Sequence, residues 1–199
     1  MSQSKFNLLK TMCTIHAPSG NEVAMKNFLL DYIKKEKKNW LTKPKIYAEE
    51  NFQDCIVLIF GKPRAAIFAH IDSIGFTVRY QKQLVKIGGP RTPNGINLVD
   101  EKGRNATLSV TKDTKTGHEN LAYKSANRFA RGTELTFKPN WRETKDFVQC
   151  CYMDNRLGIY NALKVAETLE DGAIVFPVGK NMEEEVFLSF KNFYRKNIK

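Results

Sequence analysis

Two short apolar runs, Cys55-Ile56-Val57-Leu58-Ile59-Phe60 and Ala65-Ala66-Ile67-Phe68-Ala69, constrain this chain more than any other feature. Gly61 and Pro63 in the connection between them break any helix. Runs this short, without alternation, fit strands covered on both faces. The spacing predicts two neighbouring strands of a buried sheet. A third run, 173–178, follows a helical pattern in which Leu157, Tyr160, Leu163, Val165, Ala166 and Leu169 form an approximate stripe, and Asp171-Gly172 ends that helix. Upstream, Ser19-Gly20-Asn21-Glu22 has capping-box spacing, with Ser19 as cap and Glu22 reaching back. Met25, Phe28, Leu29, Tyr32 and Ile33 then share one face of a helix over 20–37.

Residues 74–149 differ in character. Gly88-Gly89-Pro90 and Thr92-Pro93-Asn94-Gly95 mark turns, and 76–80, 106–110 and 133–137 are β-prone. The order strand, β-rich insert, helix, strand predicts an α/β sheet domain interrupted by a small β-rich domain. The boundaries are 1–76 with 150–199 for the first and 77–149 for the second.

Composition narrows the function classes. With 42% hydrophobic residues, 13 Phe and 7 Tyr, the 199-residue chain can bury a core. No stretch approaches 18 consecutive apolar residues, and Met1-Ser2-Gln3-Ser4-Lys5-Phe6 lacks the apolar core of a secretory signal. Cys13, Cys55, Cys150 and Cys151 have neither scaffold density nor zinc-knuckle spacing. A cytoplasmic protein with reduced thiols and no membrane partner is expected. The net charge of +11, from 32 basic and 21 acidic residues, raises the question of nucleic acid. Much of that charge sits at 34–45 and in the tail. No Arg/Lys stripe interleaved with aromatics supports a single-strand groove, so nucleic acid is disfavoured as a partner.

Three polar clusters carry the chemistry. His70 and Asp72, two apart on an extended segment, point to one side just after a strand, where ligands of open α/β sheets bind. A metal on one ring nitrogen with Asp72 orienting the other fits the pair, as does an ordinary polar strand end. Asp154 precedes a helix whose N-terminal field holds its carboxylate. It suits a cation ligand, or a helix cap with Arg156 as a surface partner. Glu183-Glu184-Glu185 are unfavourably close unless solvated, split between faces or neutralised by a cation. They suit base and ligand roles, or a solvated acidic turn.

Together these stretches resemble the glutamyl/deblocking, tetrahedral (TET-like) co-catalytic metallo-aminopeptidases. Ala69-His70-Ile71-Asp72-Ser73-Ile74-Gly75 matches the family's Ala-His-x-Asp-x-x-Gly, and Asp154-Asn155-Arg156-Leu157-Gly158 its Asp-Asp/Asn-Arg-x-Gly. Glu184-Glu185-Val186 matches the start of Glu-Glu-Val-Gly, and Pro18-Ser19-Gly20-Asn21-Glu22 resembles the family's opening. The resemblance runs from about residue 7 to 186. It implies a zinc-peptidase-like α/β domain and hydrolysis of N-terminal peptide bonds. It implies two divalent cations per intact site, zinc or cobalt. His70 and Glu185 would be metal ligands and Asp154 the bridge between cations. Asp72 would be the acidic neighbour of His70 and Glu184 the general base. The 77–149 segment would help subunits associate, with Gly88-Gly89 and the strand Gly132–Phe137 as its landmarks. Short peptides would be substrates, and homo-oligomers are expected.

Departures from the pattern set the remaining expectations. Phe187 stands where the family has glycine, and 188–196 resembles nothing in it. A further acidic ligand and a late histidine are absent, since no histidine follows His118. The chain reads as C-terminally truncated relative to the family, with an open sheet edge and weak or no turnover. The alternative is a non-catalytic remnant or association module.

Overall fold

The computed structural model describes residues 5–48 and 55–179. These divide into two compact units, one made of the described residues up to Asp72 and from Tyr152 onward, the other Ser73–Cys151. The architecture is an α/β core with an inserted β-rich region whose main sheet is a near-closed barrel.

In the first unit, helices α1 (Asn7–Thr14), α2 (Val23–Glu36) and α3 (Met153–Ala166) accompany four strands, β1 (Lys45–Tyr47), β2 (Ile56–Phe60), β3 (Ala66–Phe68) and β12 (Gly172–Phe176). The sheet order is β1-β2-β12-β3. Strands β1 and β12 run antiparallel to β2, and β3 runs parallel to β12. Every residue of β2 and β12 is buried, which explains their unbroken apolar sequences. On one face Val57, Ile59, Ala173 and Val175 pack together with Cys55. Helix α3 lies against β12 and β3, and α1 lies against α3.

Three expectations are corrected here. The strands at 55–60 and 65–69 are not neighbours, because β12 inserts between them. Nor is β3 covered on both faces: Ile67 is exposed and its neighbours half-buried. Pairing partners arriving from distant sequence are invisible to a local reading. In α3 the buried stripe is Arg156, Ile159, Ala162, Leu163 and Ala166, while Leu157 and Val165 are exposed. An arginine on the buried face is what misled the apolar count.

The second unit supplies β4 (Gly75–Val78), β5 (Leu84–Ile87), β6 (Asn97–Val99), β7 (Asn105–Lys112), β8 (Glu119–Lys124) and β9 (Glu134–Phe137). A small ribbon, β10 (Arg142–Glu143) with β11 (Val148–Gln149), follows. The six strands pair antiparallel in the order β5-β4-β9-β6-β7-β8, and a bridge between Gln83 and Ala122 brings the two edges together. Closure removes the exposed edges that an open sheet would present. Alternate residues turn inward: Phe76 and Val78 of β4, Ala106 and Leu108 of β7, Leu135 of β9. Gly75 is required where β4 meets β9, since a Cβ there would sit 2.8 Å from the Leu135 carbonyl oxygen.

One buried charge anchors this barrel. Asp100 accepts hydrogen bonds from the backbone N–H of Lys102 (3.1 Å) and Arg104 (2.7 Å) and from Arg104 Nε (2.7 Å). Burial would raise its pKa, but the bonds and charge of Arg104 outweigh that and hold it below the ordinary carboxylate range. A carboxylate with a depressed folded pKa stabilises above its unfolded pKa, near 3.9. That contribution is lost as pH falls through the lower folded value. Asp100→Ala should therefore cost about 1–2 kcal/mol near neutrality, because it removes a buried acceptor from three part-buried donors. The difference between urea titrations of wild type and variant should shrink as pH falls below the ordinary carboxylate range.

Candidate functional site

Parallel pairing carries the chain past the end of β3. The N–H of Ala69 donates to the Val175 carbonyl (3.0 Å), and that of Ile71 to the Pro177 carbonyl (2.9 Å). His70 and Asp72 therefore sit at the carboxyl ends of two adjacent parallel strands, the location at which such sheets bind ligands. Helix α3 runs back along the sheet before β12, so its N-terminus lies at this same end.

The three polar side chains meet there. His70 Nδ1 is 2.8 Å from Asp72 Oδ1, and His70 Nε2 is 3.1 Å from Asp154 Oδ1. His70 and Asp72 are buried, whereas the side chain of Asp154 is 75% exposed and reachable from solvent. Burial pushes the His70 pKa down, but the hydrogen bonds and charges of Asp72 and Asp154 overcome this and raise it above the ordinary imidazole value. For Asp72, burial raises the pKa, but the bonds from His70 and Ser19 and the charge of His70 bring it below the usual range. Asp72 is thus an anchored carboxylate that accepts from both neighbours.

Ser19 has a role other than the expected cap. Its Oγ donates to Asp72 Oδ2, while α2 starts at Val23 with no side-chain cap bond from Glu22. Glu22 Oε1 instead accepts from the Gly20 N–H at 2.7 Å, bracing the turn that presents Ser19. The capping-box spacing is real, but here the hydroxyl serves as a donor to a charged acceptor, a charge-assisted bond.

Arg156 does not follow the alternative in which Asp154 caps the helix. It is 1% exposed rather than a surface partner, and its Nη1 donates to the Ile71 carbonyl oxygen. The arginine thereby ties the first turn of α3, which carries Asp154, to the residue between His70 and Asp72. Asp154 itself is not the cap: Tyr152 is, and Asp154 and Asn155 have non-helical backbone angles joined by a cis peptide bond. Gly158 makes room for this turn, because a Cβ there would strike the Asn155 side-chain amide.

Glu184 and Glu185, the expected base and ligand, lie outside the described residues. Among the described residues, no group of three or more His, Cys, Asp or Glu is arranged to hold a metal ion. Two donors nonetheless fit a shared cation. Ligand atoms of one tetrahedral zinc lie roughly 3.3 Å apart, given bonds of about 2.0–2.1 Å. The Nε2–Oδ1 separation of 3.1 Å is close to that. The carboxylate on the second ring nitrogen is the partner that metal-ligating histidines generally have.

No protein-family model matches the chain, and no curated protein matches it in sequence. Solved structures match its fold. A dodecameric form of PhTET1 aligns with a TM-score of 0.64 at 18% identity, covering 96% of this chain and 65% of its own. An endoglucanase from Thermotoga maritima gives 0.63 at 18% identity, covering 92% and 62%. The TET1 peptidase of Pyrococcus horikoshii, which can assemble into a tetrahedron or a large octahedral shell, gives 0.62 at 20% identity, covering 87% and 60%. The chain thus has the general fold of TET-type peptidases and spans 60–65% of the length of these structures. No helix among the described residues is long and apolar enough to cross a membrane.

Proposed function

We propose that the chain carries the histidine-containing half of a metal-dependent aminopeptidase site, in which His70 and Asp154 hold a divalent cation. The observation that supports this most is the His70 imidazole lying between two carboxylates from separate segments, one buried and oriented, the other open to solvent. When bound, a cation there supplies Lewis acidity to a substrate carbonyl and lowers the pKa of water.

The protein's own groups have distinct tasks in this reading. Asp72 keeps the proton on Nδ1 and fixes the ring plane, so that Nε2 faces Asp154 as a donor atom. Ser19 holds Asp72 in turn. Arg156 fixes the distance between the His70 segment and the turn bearing Asp154. Glu185 is assigned as a further ligand and Glu184 as the base that takes a proton from the attacking water, both on the family resemblance. The 77–149 segment is assigned to subunit association on the same ground.

The endoglucanase among the fold neighbours suggests another chemistry, for which Asp72 is poorly suited. A glycosidase needs a carboxylic acid of raised pKa as proton donor. Asp72 is shifted the opposite way and is engaged by His70 and Ser19. Cobalt-loaded protein should release p-nitroaniline from leucyl or glutamyl p-nitroanilide, slowly, and not from N-acetylated versions. Cobalt binding without hydrolysis, with oligomers persisting, would favour the association module. Hydrolysis of acetylated substrates would contradict an aminopeptidase.

A further inference from the structure

The barrel of the second unit has a cavity at one end, between the β4–β5 turn (79–83) and the β8–β9 connection (125–133). Its volume is about 490 Å³, within the range of small-molecule sites. Arg79 and Lys82 line it from the turn, and Arg128 and Arg131 from the connection. All four are exposed, and among the described residues none of the four is in an ion pair. No Asp or Glu lines the cavity. Like charges gathered without a counter-charge repel one another, and an anionic occupant relieves that repulsion.

Aromatic groups accompany the cations. Tyr80 is 57% exposed, and the Arg131 guanidinium stacks over its ring at 5.1 Å. Tyr123 forms the inner wall, held edge-on to Phe129 at 5.1 Å, and the Phe129 N–H donates to the Tyr123 hydroxyl at 3.4 Å. A planar guanidinium on an exposed ring is a platform on which a nucleobase stacks. The sequence separates the two contributing segments by more than forty residues, so no linear stripe exists. Barrel closure through Gln83 and Ala122 brings them together.

We propose that this cavity binds a nucleotide unit, with phosphate on Arg79, Lys82 and Arg128 and the base against Tyr80 and Arg131. The unit comes either as a free nucleotide or within a single strand. Calorimetric titration of the full chain with ADP and with a ten-residue oligothymidylate distinguishes the sources. At least one of them should bind at low salt and weaken steeply as salt rises. The triple reversal Arg79→Glu/Lys82→Glu/Arg131→Glu should lose affinity at least about 10-fold. Tyr80→Leu, an exposed change that keeps every charge, should lose about 5-fold or more through stacking alone. A control reversal of the same net charge, Lys34→Glu/Lys35→Glu/Lys38→Glu on the first unit, should lose less than about 2-fold. Failure of both probes to bind would overturn the proposal. So would equal loss in the control, unchanged affinity in Tyr80→Leu, or a polyglutamate peptide competing as well as the oligonucleotide.

Discussion

Replacing His70 by alanine is expected to weaken binding of cobalt or zinc by more than about 100-fold, because it removes the nitrogen donor of the pair. Asp72→Asn should act through the ring instead, with a loss of about 10–100-fold, the usual cost of removing an outer partner of a ligating histidine. Ser19→Ala should fall below both, since Asp72 keeps its bond to His70. Asp154→Asn separates this reading from a purely structural one. The side chain is largely exposed, so its loss should leave stability almost unchanged while cation affinity drops. If affinity is the same in all four variants, the ion binds elsewhere. The readout is the visible absorption of bound cobalt, with circular dichroism to show that each variant is folded.

Arg156→Ala is expected to be the most destabilising single change in the first unit, by about 3–5 kcal/mol. It is among the largest fully buried side chains, so truncation leaves a cavity. It also strips the Ile71 carbonyl of a charged donor in a buried setting. Lysine does not replace it, because a single ammonium on a flexible stem lacks the planar fork. Arg156→Lys should therefore recover less than half of the lost stability. It should also loosen the spacing between His70 and Asp154, and so weaken cation binding even where the protein remains folded. Urea unfolding measures the first effect and cobalt titration of the folded variant the second. A loss below about 1 kcal/mol for Arg156→Ala would mean that the arginine is not the strut described here.

His70 and Arg156 also mark what a sequence can and cannot disclose. Strands β2 and β12 were legible because complete burial leaves unbroken apolar runs, and the β-rich middle segment because turn residues and β-prone pieces are local signals. Their order in the sheet was not legible, since β12 reaches its place between β2 and β3 from more than a hundred residues away. At the site, the paired spacing of His70 and Asp72 predicted a common side, and Asp154 was marked by its helix start. Ser19 as a cap and the alternative of a surface Arg156 both fail for one physical reason. Serine before a helix and arginine on a helix satisfy local rules for a cap and a solvated charge. The Asp72 carboxylate and the Ile71 carbonyl, brought close only by folding, are the partners these side chains take.

The most direct test of the central claim is a crystal of the chain grown with cobalt and measured at the cobalt absorption edge. The anomalous peak is expected within about 2–2.3 Å of both His70 Nε2 and an Asp154 oxygen, with Asp72 still on Nδ1. A peak at another site, or none at saturating cobalt while Nε2 stays bonded to Asp154, would contradict it.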